Sequence, residues 1–220
     1  MSDTEDFTQL RETMFTAQLS DCLDQAGLRG QAMPSRIRPL DEGRVMVGRA
    51  RTGAYMEVYH VEPGVNPYEL EMDLIDSLKP GEIPVFACSN PARVAPWGEL
   101  LSTAAQLRGA AGAVMDGCVR DIKAIRAMGF SVFHGGIAPL DSKGRARVMA
   151  IDVPVECAGV PVASGDLVFG DADGLVIVPR AAEETVLRLA AEKLLGERDT
   201  LAELRAGKTL REVFDRYGIL

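Results

Sequence analysis

Asp116, Arg120 and Asp121 fall within the short run Asp116-Gly117-Cys118-Val119-Arg120-Asp121. Two carboxylates beside a guanidinium suit two kinds of chemistry. An ionised carboxylate is a ligand for a hard divalent cation. An arginine offers planar, bidentate pairing to the carboxylate of a small molecule. The spacing puts Asp116 at the end of a strand and Asp121 in the first turn of the following helix, where free amides and the helix field favour a negative charge. Glu99 is expected in the first turn of the preceding helix, facing the same cleft. The same residues also suit a structural role, because an aspartate at a helix start is a favourable end charge and Arg–Asp pairs are often structural. Spacing alone leaves both readings open. Gly117 is expected as a turn.

The remaining polar clusters carry less. Asp166, Asp171 and Asp173 lack the spaced oxygen ligands and closing glutamate of a calcium loop, and Asp173-Gly174 reads as a hairpin turn. His134 is expected just after a strand, before Gly135-Gly136, where it either faces the cleft or packs in a loop. His60 is the weaker candidate. Cys22, Cys88, Cys118 and Cys157 are widely spaced and form no Cys-x-x-Cys pair, as expected of ordinary buried thiols. The chain contains no Gly-x-Ser-x-Gly elbow, phosphate loop or dinucleotide fingerprint.

These residues need a scaffold. A helix is expected over 8–26, a strand over 45–52, a helix over 68–78 and a strand over 83–87. A helix over 98–107, a strand over 113–115, a helix over 120–128 and a strand over 131–133 then follow in alternation. That order implies a parallel sheet covered by helices, with ligands gathering beyond the C-terminal strand ends. Short Val-rich strands over 145–155, 160–162, 167–170 and 175–178 are expected to build a second layer, antiparallel or mixed. Helices over 180–195 and 198–217, the latter broken near Gly207, close the chain. This tail, about 180–220, is long for a monomer cap and suits contact with a neighbouring subunit.

With 220 residues and 47% apolar content the chain is long enough for one large compact unit, expected as a single domain over 1–220. Aromatics are only 5%, so aliphatic side chains must build the core. A net charge of −8 with no visible basic patch repels nucleic-acid backbones; Lys143, Arg145 and Arg147 read as a solvated loop or strand start ahead of an anion or RNA contact. The acidic start lacks the order of a signal peptide, and no apolar run approaches membrane-spanning length. A cytoplasmic protein without a membrane partner is expected.

Trp97-Gly98-Glu99-Leu100-Leu101-Ser102-Thr103-Ala104-Ala105, Arg108-Gly109-Ala110-Ala111-Gly112, Asp116-Gly117-Cys118-Val119-Arg120-Asp121, Gly165-Asp166 and Asp171-Ala172-Asp173-Gly174-Leu175-Val176-Ile177-Val178-Pro179 together resemble the RraA-like family. The likeness covers about residues 10 to 206. That family includes class II 4-hydroxy-4-methyl-2-oxoglutarate aldolases and the regulator of ribonuclease activity. The resemblance implies an α/β fold with a β/β/α swivelling-type core and helical N- and C-terminal segments. It implies homotrimers, sometimes paired into homohexamers, with the site between subunits. It further implies that Asp121 binds Mg²⁺ or Mn²⁺, that Arg120 contacts substrate oxygens, and that the amides of Gly98, Glu99, Leu100 and Leu101 hold a pyruvyl carboxylate. Glu99 would position a water for proton transfer, with Glu197, or else Glu192, of a neighbouring C-terminal helix touching the same water. Asp116 then becomes a structural strand-end residue.

The implied activity is metal-dependent aldol cleavage of a 4-hydroxy-2-oxo acid to pyruvate, with decarboxylation of oxaloacetate by the same electron sink. The alternative within the family is a non-catalytic regulator docking on a ribonuclease or helicase. The Glu99, Arg120, Asp121 set favours the enzyme. Three stretches depart from the usual family pattern: 62–67, 89–96 and His134-Gly135-Gly136. They bear on the second half of the substrate more than on the reaction class.

Overall fold

A computed structural model describes residues 3–218, with side chains described for 7–196 and 199–218. Two helices open the chain, α1 (Asp3–Thr13) and α2 (Thr16–Gln25). The single helix expected over 8–26 is broken because Phe15 is extended, with φ −131° and ψ 148°. The amide of Thr16 donates instead to Asp171 Oδ2 at 2.8 Å, across the fold. Then come β1 (Arg38–Pro39), β2 (Met46–Glu57), α3 (Glu69–Asp76), β3 (Glu82–Cys88), α4 (Glu99–Leu107), β4 (Ala113–Val119), α5 (Ile122–Met128) and β5 (Val132–Ile137). The second half adds β6 (Ala146–Ile151), β7 (Val155–Cys157), β8 (Val160–Val162), β9 (Leu167–Gly170), β10 (Leu175–Val178), α6 (Glu183–Arg205) and α7 (Leu210–Tyr217).

β2, β3, β4 and β5 run parallel as neighbours, joined through α3, α4 and α5. The expected alternation is therefore present. The Val-rich strands differ from expectation. β9 and β10 extend the same sheet antiparallel beyond β2, in the order β1-β5-β4-β3-β2-β9-β10, and β6 also pairs with β2. Only β7 and β8 stand apart, as a two-stranded hairpin. β2 reaches twelve residues because it serves β3 on one side and β9 then β6 on the other.

Alternation along the strands sends side chains to both faces. Phe86, Met115 and Val132 pack with Leu74 and Ile75 of α3, Ala105 of α4 and Ile125 of α5. Ile83, Val85, Val114 and Phe133 pack with Cys157, Val160 and Val162 of the hairpin. Sheet, hairpin and helices thus form the β/β/α core. A third cluster joins Leu19 and Leu23 of α2 and Val186 and Ala190 of α6 to Val47, Phe169 and Val176. The N- and C-terminal helices therefore pack on the β2–β9–β10 end. The two helices expected over 180–217 are redivided: α6 runs unbroken for 23 residues, and the break falls at Gly207, as anticipated. Among the described residues no helix is long and apolar enough to cross a membrane.

Candidate active site at the ends of β3 and β4

Trp97 sets the local geometry. It is fully buried, stacked on Phe130 at 6.2 Å, and its Nε1 donates to Ser102 Oγ at 2.7 Å. Ser102 Oγ in turn donates to the carbonyl of Gly98 at 2.9 Å. Trp97 forms a parallel bridge with Val119, and the Arg120 amide donates to the Trp97 carbonyl at 2.9 Å. The entry to α4 is thereby laid against the exit from β4.

That placement brings Gly98, Glu99, Arg120 and Asp121 together. The Glu99 amide donates to Asp121 Oδ2 at 3.2 Å. Arg120 Nε lies 3.8 Å from the same oxygen. A Cβ at Gly98 would stand 2.6 Å from Asp121 Oδ2 and 3.1 Å from Arg120 Cγ. Only glycine permits this approach. The first amides of a helix have no intrahelical acceptor. Glu99 uses its own on Asp121, which leaves those of Leu100 and Leu101 open at the positive end of α4. The Glu99 and Leu100 side chains are exposed, and Leu101 is half-buried.

Asp121 differs from its expected place. It precedes α5 as the N-cap residue, with φ 58° and ψ 32°, and its side chain does not cap that helix. A left-handed backbone costs a non-glycine residue on the order of 1 kcal/mol, aspartate being among the more tolerant types. Asp116 stands apart from this site, as expected of a structural residue, but it does not end a strand, because β4 continues to Val119 with a bulge between Met115 and Cys118. Asp116 is buried; its Oδ1 accepts from the Cys88 amide at 2.8 Å and its Oδ2 from the Ala158 amide at 3.0 Å, tying the hairpin to the sheet. Gly117 lies within β4 rather than in a turn, close against Cys88 Sγ and Pro96 Cδ. His134 lies inside β5, in register with Met115, short of the strand end. Burial holds its pKa below the usual histidine value.

Arg120 meets a second carboxylate. Its Nη1 lies 3.7 Å from Asp141 Oδ1 and 3.5 Å from the Leu140 carbonyl. Asp141 Oδ2 accepts from Tyr68 Oη at 2.9 Å, and Asp141 Oδ1 from the Ser142 amide at 2.8 Å. Burial and the bond to Asp141 push the Tyr68 phenol up to about 12. Glu71, buried one turn along α3, is pushed up to about 7, first by burial. Tyr55 Oη, beside Glu71, makes no hydrogen bond of ordinary geometry with it. Neither Tyr68 nor Asp141 was anticipated; the only signal was that the divergent stretch 62–67 runs directly into Tyr68. That stretch borders a small cavity of ≈ 50 Å³ lined by His60, Val65 and Arg147 among others. In the other divergent stretch, Arg93 pairs with Glu57 at 3.0 Å and lies over the Tyr59 ring.

The C-terminal acids stand apart from this cluster. Glu192 is exposed on α6 and accepts from Arg188 at 2.9 Å. The Glu197 side chain lies outside the described residues.

Among the described residues no three histidine, cysteine or acidic side chains gather as a metal cage. Asp121 presents a single carboxylate. Its Oδ2 is held by the Glu99 amide, and among the described residues no hydrogen bond reaches Oδ1. One anchored carboxylate fits a hard ion that keeps most of its waters, such as Mg²⁺, and not a closed zinc site.

A family model described as RraA-like, Aldolase/RraA, matches residues 16–177. The chain belongs to the RraA-like family. The match runs from α2 into β10 and takes in the whole Trp97–Asp121 segment. A Halalkalibacterium halodurans protein named "Putative 4-hydroxy-4-methyl-2-oxoglutarate aldolase" is 37% identical over 194 residues, covering 88% of this chain and 86% of that one. The crystal structure of an uncharacterized protein from Pseudomonas syringae pv. tomato superposes with TM-score 0.82 at 27% identity, covering 96% of each chain. Streptomyces coelicolor RraAS2, described as an unusual member of the RNase ES inhibitor RraA protein family, gives TM-score 0.77 at 25% identity, covering 94% of this chain and 98% of that one.

Proposed function

We propose that this RraA-like protein is a divalent-metal-dependent carbon–carbon lyase. It cleaves a 4-hydroxy-2-oxo acid such as 4-hydroxy-4-methyl-2-oxoglutarate to pyruvate, and decarboxylates oxaloacetate at the same site. The observation that carries the reading is the convergence of Asp121, Arg120 and the open α4 amides at one point. The relative named for this aldolase activity supports the choice of substrate class.

Asp121 would hold the ion, Mg²⁺ or Mn²⁺. When bound, the ion supplies Lewis-acid stabilisation of negative charge on the substrate's 2-oxo group. The amides of Leu100 and Leu101 receive the carboxylate at the helix N-terminus. Arg120 donates to the substrate oxygens and stabilises the enolate that forms as the C3–C4 bond breaks. Glu99, through a water, takes part in removing the 4-hydroxyl proton and returning a proton to C3. In oxaloacetate the bond that breaks releases CO₂ and leaves the same enolate.

Glu197 from α6 of a neighbouring copy is proposed to share that proton transfer, in a homotrimer or homohexamer. Glu192 is the alternative residue. A second reading, a non-catalytic partner of a ribonuclease, is favoured by the likeness to RraAS2. The test is pyruvate release from a panel of 4-hydroxy-2-oxo acids and oxaloacetate, with Mg²⁺, with Mn²⁺ and with a chelator. Metal-dependent turnover that Asp121→Ala lowers at least about 100-fold is expected. Wild type and Asp121→Ala equally inert on every substrate would overturn the lyase reading and favour the second.

A further inference from the structure

Arg120 sits between two carboxylates that do not fully engage it. Asp121 Oδ2 is 3.8 Å from Nε, and Asp141 Oδ1 is 3.7 Å from Nη1. Both separations exceed an N–H···O hydrogen bond. A half-buried arginine facing an aspartate gains most from a direct, charge-assisted pair. Here the Asp141 carboxylate is pinned from behind. The Tyr68 hydroxyl donates to Oδ2, and the Ser142 amide donates to Oδ1. Tyr68 itself is fixed as the residue before α3, with its ring half-buried. Arg145 adds a donor to the Asp141 carbonyl at 3.2 Å, holding the backbone of the same loop.

We infer that Tyr68 and Asp141 are positioning residues that aim Arg120 while leaving the donors it does not use on the Leu140 carbonyl for an anionic substrate. Asp141 supplies a counter-charge that orients the guanidinium. Tyr68 holds that counter-charge back from capturing it. This inference rests on the reading that Arg120 receives substrate oxygens, but it does not depend on which substrate turns over.

The two residues then have opposite effects. In Tyr68→Phe the hydroxyl that restrains Asp141 is gone. Asp141 closes on Arg120 and competes with the ligand, so affinity falls. In Asp141→Asn the competing charge is gone, so affinity is kept or rises, but Arg120 loses its aim. In the double variant Asp141 no longer carries a charge to capture Arg120, and Asp121 stays where it is in wild type, so the Tyr68→Phe penalty disappears. A purely structural role predicts instead that the two losses add.

The probe is oxalate, a dicarboxylate with the planar shape of a pyruvate enolate, titrated calorimetrically into the full-length protein in Mg²⁺. Tyr68→Phe is expected to weaken oxalate binding about 5- to 10-fold. Asp141→Asn should bind it at least as tightly as wild type, and the double variant should match Asp141→Asn. In turnover assays Tyr68→Phe should raise KM with kcat little changed, while Asp141→Asn should lower kcat without raising KM. If Asp141→Asn does not fold, Asp141→Ser completes the same cycle. Unchanged oxalate affinity in Tyr68→Phe, or an equal loss in both backgrounds, overturns the inference. Failure of wild type to bind oxalate also overturns it. Failure of turnover with the predicted oxalate pattern intact counts against the lyase reading alone.

Discussion

Gly98 is the residue at which the two halves of the candidate site touch. Its missing side chain lets Asp121 Oδ2 reach the α4 amides and lets Arg120 pass alongside. Gly98→Ala is expected to push the Asp121 carboxylate and Arg120 stem outward, lowering kcat/KM roughly 100-fold. Because the closest atom is the end of the exposed Asp121 side chain and the Arg120 stem is flexible, stability should change by under about 1 kcal/mol. Steady-state kinetics with a urea melt checks both; full activity in the variant would show that the close approach is not needed. At this scale Glu99, Arg120 and Asp121 were legible, because strand–loop–helix order alone puts residues after β3 and β4 on one edge. Asp116 was misplaced because Gly117 reads as a turn, whereas close packing on Cys88 and Pro96 keeps it within the strand. Tyr68 and Asp141 were illegible for a different reason. They are 73 residues apart, and no local spacing pattern announces the bond between them.

Among the elements, α3 carries a titratable burden next to the site. Burial raises Glu71 from 4.5 to about 7, with the Asp141 charge adding to the rise. The native state therefore holds that proton more tightly than the unfolded chain. Between the two values stability falls as pH rises, and it levels off above about 7. Glu71→Gln, neutral throughout, lacks this loss, which for the full shift is on the order of 3 kcal/mol. Urea midpoints of wild type and variant should diverge between pH 5 and pH 8 in favour of Glu71→Gln; parallel pH dependences would contradict this. The elements were legible where the hydrophobic period was undisturbed, as in α4 and β3. They were misjudged where distant partners decided: Asp171 starts α2 afresh at Thr16, β6 and β9 join the main sheet because β2 is long enough to serve both, and β10 follows on β9. No local pattern distinguishes a strand that extends a sheet from one that starts another.

For the whole molecule, the mixed sheet places Glu99, Arg120 and Asp121 beyond the C-terminal ends of its parallel strands, the general location for ligands in such sheets. α6 packs on α2 and the β9–β10 end of the sheet, with α7 against α6; the arm proposed to complete the site is that of a second copy. Asp141, Arg120 and Asp121 form a line of alternating charge, and the proposed chemistry depends on the cation in its middle. Pyruvate release from 4-hydroxy-4-methyl-2-oxoglutarate in Mg²⁺, compared between wild type and Arg120→Ala, tests it most directly. The account predicts a fall in kcat/KM of at least about 100-fold, some 2.7 kcal/mol of lost transition-state stabilisation. An Arg120→Ala variant as active as wild type would contradict it.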